Sequence, residues 1–145
     1  MKVRDILKNK GPEVFTIGED KPLRDAVDVL ARNNIGVLIV ISDQGKIDGI
    51  ISERDILKAC SNNPEAFLNL PVRDCMTKKL LIAEPDDEID YVQKIMTDNR
   101  IRHLPVLNNK ILVGLISIGD VVKAQLSDKI YENKYLMDYI SGNVR

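Results

Sequence analysis

Two seven-residue stretches carry the residue types that could do chemistry. Gly114-Leu115-Ile116-Ser117-Ile118-Gly119-Asp120 reads glycine, two apolar residues, serine, two variable residues and aspartate. Gly49-Ile50-Ile51-Ser52-Glu53-Arg54-Asp55 repeats that order. Each is entered from a β-rich run and leads into an apolar, helix-like run, Ile56–Ala59 or Val121–Ala124. A strand ending in Ser-x-x-Asp at a helix start suits an adenosine phosphate. The helix start favours phosphate, and a carboxylate accepts hydrogen bonds from ribose hydroxyls. The same pattern is also a capping box that needs no ligand, with the aspartate placed favourably in the helix dipole. The two roles are compatible. Gly119 adds room for the backbone to approach a ligand closely.

The other concentration of chemistry is Arg100, Arg102 and His103, a compact basic patch beside an apolar strand. The planar arginine fork suits phosphate. Alternation along the turn puts Arg100 and Arg102 on one side and His103 on the other. His103 is the only histidine, and no partner makes a catalytic dyad evident. There is no glycine-rich phosphate loop, Ser-His-Asp arrangement or HExxH, so the chain reads as a non-enzyme. Cys60 and Cys75 lack CxxC spacing, which argues against zinc and against a disulfide framework. A formal net charge of -1 provides no field for nucleic acid or an anionic membrane. Trp is absent and aromatics are 4%, leaving few stacking platforms for single strands. The longest apolar run, Ile35 to Ile41 broken by Gly36, falls far short of the roughly 20 residues of a membrane span. No apolar signal-peptide core follows Met1-Lys2-Val3-Arg4-Asp5. The expected location is cytoplasmic.

Positioning these residues falls to a duplicated unit. Val3-Arg4-Asp5 recurs as Val72-Arg73-Asp74, 69 positions on. The Gly-x-x-Ser-x-x-Asp stretches are 65 apart. Landmarks recur in one order with small drift, so we read two copies, roughly 1–68 and 69–145. Each opens on a short helical turn (Val3–Leu7; Val72–Met76) and a β-like segment (Val14–Ile17; Leu80–Ala83). Pro22 fits the first position of the helix that follows. Leu23, Ala26, Val27, Leu30 and Ala31 form one helical face, matched by Ile89, Val92 and Met96. Asn33-Asn34 and Asn99 are expected helix stops. Two strands joined by short Asn/Asp/Gly turns come next, then a helix after each serine. The order is β-α-β-β-α per copy, an α/β (α+β type) fold. Ser61–Pro71 is the expected linker. On the last helix, Tyr131, Tyr135 and Tyr139 form a stripe beside Val122, Leu126, Ile130, Met137 and Ile140, and a dimer contact is expected there.

These marks together resemble the cystathionine-β-synthase (CBS) domain pair. They are the tandem unit opened by Val-Arg-Asp, Arg102-His103-Leu104-Pro105-Val106 on the second helix-to-strand turn, and the two Gly-x-x-Ser-x-x-Asp stretches. The resemblance covers nearly the whole chain. It implies two repeats packed through their sheets about a pseudo-two-fold axis, with two clefts between them. It also implies a regulatory module without catalysis or a catalytic cofactor. The clefts would take AMP, ADP, ATP or NAD(H), with S-adenosylmethionine ranked below them. Partners would be the adenine nucleotide, a second copy in a homodimer and a regulated protein. By the same resemblance Asp120 anchors the ribose. The preferred cleft combines Thr16, Ile17, Ile35, Gly36 and Val37 with Arg102, His103, Pro105, Ser117, Gly119 and Asp120. The second cleft draws on Ile50, Ser52, Arg54, Asp55, Ile82 and Ile101. Arg54 replaces Gly119 there, and the basic patch and proline occur once, so unequal clefts are expected. The competing expectation is a constitutive structural or dimerisation module with degenerate clefts.

Overall fold

Short, nearly continuous apolar runs broken by turn formers, such as Val37–Ile41 and Ile111–Ser117, form the strands. The computed structural model describes residues 1–127 and Met137. The elements in order are α1 (Val3–Lys10), β1 (Thr16–Gly18), α2 (Leu23–Asn33), β2 (Val37–Ile41), β3 (Ile47–Ser52) and α3 (Glu53–Asn62). A single 3-10 turn at Phe67–Asn69 leads to α4 (Val72–Cys75), α5 (Ile89–Asn99), β4 (His103–Asn108) and β5 (Ile111–Ser117). A last helix, α6, starts at 118 and is described to 127. The chain adopts the expected mixed α/β fold of two β-α-β-β-α-like repeats, with sheets of three and two strands. One sheet has the order β1-β2-β3, with β1 parallel and β3 antiparallel to β2; the other is the β4-β5 hairpin. Tyr131, Tyr135 and Tyr139 lie outside the described residues, as do Ile130 and Ile140.

The helices bury the faces their periodicity marks: Leu23, Ala26 and Leu30 in α2, and Ile89, Val92 and Met96 in α5. Two of the expected ends shift by one residue. Pro22 is the cap before α2 rather than its first residue, held extended at φ -69, ψ 152. Leu23 takes the first position, and its N–H donates to the Leu70 carbonyl at 2.8 Å. Asn34 closes α2 in the left-handed region, as expected, but α5 is closed by Arg100 at φ 54. Asn99 instead turns its side-chain amide back onto the Ile95 carbonyl at 2.8 Å.

The second repeat lacks the expected strand at Leu80–Ala83. Only Ala83 pairs, parallel to Val106, donating to the Pro105 carbonyl and accepting from the Leu107 N–H, both at 2.9 Å. Two prolines account for this. A parallel ladder running back from Ala83 needs an N–H from Pro105 to residue 81. Running forward, it needs one from Pro85 to Leu107. Proline has neither. In the first repeat no proline interrupts the pairing of β1 with β2.

The two cores exchange their leading helices. Val3 and Ile6 of α1 are buried with Leu104, Val106, Ile116 and Val121 of the second repeat. Val72 of α4 is buried with Leu23, Leu38, Val40 and Ile51 of the first. Backbone bonds fix both crossings. Val3 N–H donates to Asp87 O at 3.0 Å and Arg4 N–H to Pro85 O at 2.9 Å. In turn Val72 N–H donates to Lys21 O at 2.8 Å and Arg73 N–H to Glu19 O at 3.0 Å. Along β2, Leu38 and Val40 face the first core, while Val37 and Ile39 on the opposite face are buried too. That is the mark of a sheet covered on both faces.

The glycine of each repeated stretch is where a crossing segment lies closest. A Cβ on Gly114 would stand 2.6 Å from Leu7 Cδ2 of α1. One on Gly49 would stand 2.6 Å from the Thr77 carbonyl oxygen and 2.9 Å from Met76 Sδ, just after α4. Leu7 can rotate away, whereas a backbone carbonyl cannot without breaking the Ile50–Thr77 bridge. Gly49→Ala is therefore expected to cost roughly 1–3 kcal/mol by overpacking, and Gly114→Ala distinctly less, as measured by urea denaturation of each variant.

Candidate functional site

Both Ser-x-x-Asp pairs form the reciprocal cap that their spacing permits. Strand β5 ends at Ser117, whose backbone N–H donates to Asp120 Oδ2 at 2.9 Å. The Asp120 N–H donates in return to Ser117 Oγ at 3.1 Å. At the other seat, Ser52 N–H and Oγ–H both donate to Asp55 Oδ2 at 3.0 Å, and the Asp55 N–H donates to Ser52 Oγ at 3.2 Å. The capping role is thus present at each, and it aims the carboxylate at the mouth of its strand-to-helix junction.

The carboxylates differ in what else they hold. Lys10, the last residue of α1, donates from Nζ to Asp120 Oδ2 at 2.7 Å and to the Leu115 carbonyl at 2.8 Å. Asp120 Oδ1 accepts no bond among the described residues. At Asp55 the crossing segment delivers a neutral group, Thr77, whose hydroxyl donates to Oδ1 at 3.0 Å. Both Asp55 oxygens are therefore engaged. Burial alone would raise the Asp120 carboxyl, but the bonds from Lys10 and Ser117 outweigh it and hold the group below the ordinary carboxylate range.

His103 opens β4 directly across from Ser117. Burial, the Lys10 ammonium and Arg102 push its imidazole below the ordinary value, against the opposing pull of Asp120 and Glu53. The ring is neutral at pH 7. Arg102 is exposed, and its carbonyl accepts from the Ile118 N–H at 2.7 Å, tying the turn before β4 to the start of α6. Pro105 is buried mid-strand with its carbonyl committed to Ala83. Gly119 is exposed, with only Ser117 Oγ near where a Cβ would stand, at 3.6 Å.

The first repeat's residues are placed in three ways. Gly36 and Val37 lie at the start of β2, where the Gly36 carbonyl accepts from the Glu53 N–H at 3.1 Å. Thr16 and Ile17 line a cavity of about 550 Å³ between β1, α2 and the end of β2. Ile35 lines another of about 490 Å³ with Leu30, Glu53 and Ile56. Both of these cavities are lined by first-repeat residues. Around Asp55, Ile50 pairs with Thr77 and Arg54 is exposed. Ile82 is exposed in the loop before Ala83, and Ile101 packs on the second core.

Lys10 and Thr77 are the contacts that reading the sequence missed. Both arrive on the exchanged segments, and Lys10 is 110 positions from its carboxylate. Their only signal is their closeness to Leu7 and Met76, equivalent residues of the two copies.

Comparison with known proteins fits this architecture. The CBS domain profile matches residues 3–62 and again 72–127. The mitochondrial CBS domain-containing protein CBSX3 of Arabidopsis thaliana is 34% identical over 148 residues, covering 97% of this chain and 72% of that protein. A CBS-domain containing protein from Agrobacterium tumefaciens superposes with a TM-score of 0.83 at 40% identity, over 86% of this chain and 92% of that one. The CBS domain pair of protein MJ0100, in complex with 5-methylthioadenosine and S-adenosyl-L-methionine, does so at 0.78 and 26% identity, over 88% and 98%. With both repeats matched and the fold shared, the chain belongs to the CBS domain family.

Proposed function

We propose that this protein is a regulatory module that binds an adenine nucleotide at the Asp120 seat, performs no catalysis, and passes occupancy to a partner protein or to its own homodimer. The observation that carries the reading is the Asp120 carboxylate. It is ionised, fixed by Ser117 and Lys10, and keeps Oδ1 open to ribose hydroxyls. AMP, ADP, ATP or NAD(H) are the ligands this seat favours, and S-adenosylmethionine ranks below them. The other reading, a structural module with degenerate clefts, finds its support at Asp55, where Ser52 and Thr77 already satisfy both oxygens. We assign that seat the weaker affinity. The dimer would bury the exposed apolar side chains of α3 and α6, Leu57, Val122 and Leu126.

Calorimetry of the nucleotide-stripped protein with AMP, ATP, NAD, NADH and S-adenosylmethionine tests the ligand. A compound at 100 times its Kd adds about 2.7 kcal/mol to stability. Asp120→Ala is expected to weaken that compound about 10- to 100-fold, the worth of a bond to a charged group. Loss of its cap costs about 1 kcal/mol of stability, so affinity is read well below the melting range. Silence from all five compounds would leave the structural reading in place.

The single histidine gives a second readout by NMR. Its folded pKa lies below the unfolded value of about 6.5, so it contributes nothing above that pH. Below it the unfolded chain binds the proton more readily, and stability falls. Binding of AMP is expected to move the His103 pKa upward, because a phosphate dianion favours the imidazolium. For the assembly, sedimentation should give twice the chain mass of 16.3 kDa, and a Leu57→Asp/Val122→Asp double variant should run as a monomer.

A further inference from the structure

The Asp120 seat holds a fixed cation that its counterpart lacks. Lys10 Nζ is bonded to Asp120 Oδ2 and to the Leu115 carbonyl, and both side chains remain partly open, at 34% and 25% exposure. An ammonium has three N–H donors, and two are accounted for. The third remains for whatever occupies the open side. Arg102, exposed and in no ion pair among the described residues, flanks the same strand-to-helix junction through its bond to Ile118. At the Asp55 seat the corresponding partner is the Thr77 hydroxyl, and no lysine or arginine is paired with the carboxylate among the described residues.

Resting on the reading of Asp120 as a ribose anchor, we propose that Lys10 is the specificity-determining residue of this seat: it admits adenosine compounds that carry a phosphate and discriminates against uncharged adenosine and the sulfonium of S-adenosylmethionine. The ribose uses Asp120 Oδ1 while Lys10 stays on Oδ2, so the two contacts do not compete for one oxygen. The remaining ammonium donor then makes a charge-assisted bond to the first phosphate. The carboxylate's charge is already matched by Lys10, so a sulfonium finds no free anion at Asp120 and meets Lys10 and Arg102 as like charges. Lys10 belongs to α1, which leads the first repeat but is bedded in the second core. Selectivity at one repeat is therefore set by a residue from the other.

The test is calorimetric titration of the full chain with adenosine, AMP and S-adenosylmethionine. The wild type is expected to prefer AMP over adenosine by about 10- to 100-fold, the worth of one bond to a charged group. Lys10→Met should bring AMP down to the adenosine level, so that the AMP-to-adenosine ratio falls from about 10–100 to about one. Lys10→Arg should restore the preference. If Lys10→Met does not fold, Lys10→Gln takes its place and the same ratio is read. An AMP-to-adenosine ratio unchanged by Lys10→Met, or a wild type that binds both equally, overturns the inference while leaving the ribose seat intact. Absence of binding by adenosine and AMP alike overturns the seat itself.

Discussion

The structure depends on the exchange of its leading helices. Val3 and Val72 are equivalent residues, both fully buried, and each completes the core of the other repeat. Burying a valine contributes about 1.5–3 kcal/mol, and neither contribution is available to a repeat folded on its own. The bridges Lys2–Glu88 and Pro22–Pro71 lock the crossings at matching places. Each repeat is thus built to need the other. The glycines at 49 and 114 follow from the same constraint, since they admit the segment that crosses.

Unequal seats are a consequence of what the crossings carry. The two caps are nearly identical, because a Ser-x-x-Asp sequence at a helix start has few ways to satisfy its N–H groups. The groups brought by α1 and by the segment after α4 are not. A lysine leaves its carboxylate ionised and one oxygen open; a threonine closes the other seat with a neutral bond. The imidazole of His103 registers the difference, since burial and Lys10 together lower its affinity for a proton. Electrostatic character here is decided by a helix that is remote in sequence, not by the repeated stretch.

The fold was legible because its signals are local. Short apolar runs mark the strands and an apolar period of 3.6 the helices, and duplication made most elements visible twice. What failed to read did so for identifiable reasons. The missing strand before Ala83 turns on two prolines, Pro85 and Pro105, whose effect appears only once the pairing partner is known. The helix stop at Arg100 shows a residue other than asparagine accepting the left-handed cap position, with Asn99 spent on its own helix. Within the candidate site, Ser117 with Asp120 and Ser52 with Asp55 were readable from spacing alone. Lys10 was not, because spacing says nothing about a helix that leaves its own repeat.

A seat can report its occupancy only if the ligand favours one arrangement of the elements around it over another. A site built from one rigid repeat would offer no such difference. The Asp120 seat is joined from both sides: the cap belongs to the second repeat, while Lys10 reaches it from the chain that leads into β1. The distance from Lys10 to Thr16 is six residues of chain, which includes Gly11 at φ 90. A short connection transmits displacement better than a long one, since little of the movement is lost to slack. The exchange that makes the two repeats one folding unit therefore also places the Lys10 ammonium at the start of the route into the first sheet. The crossing that completes both cores is thus also the one that carries Lys10 to Asp120.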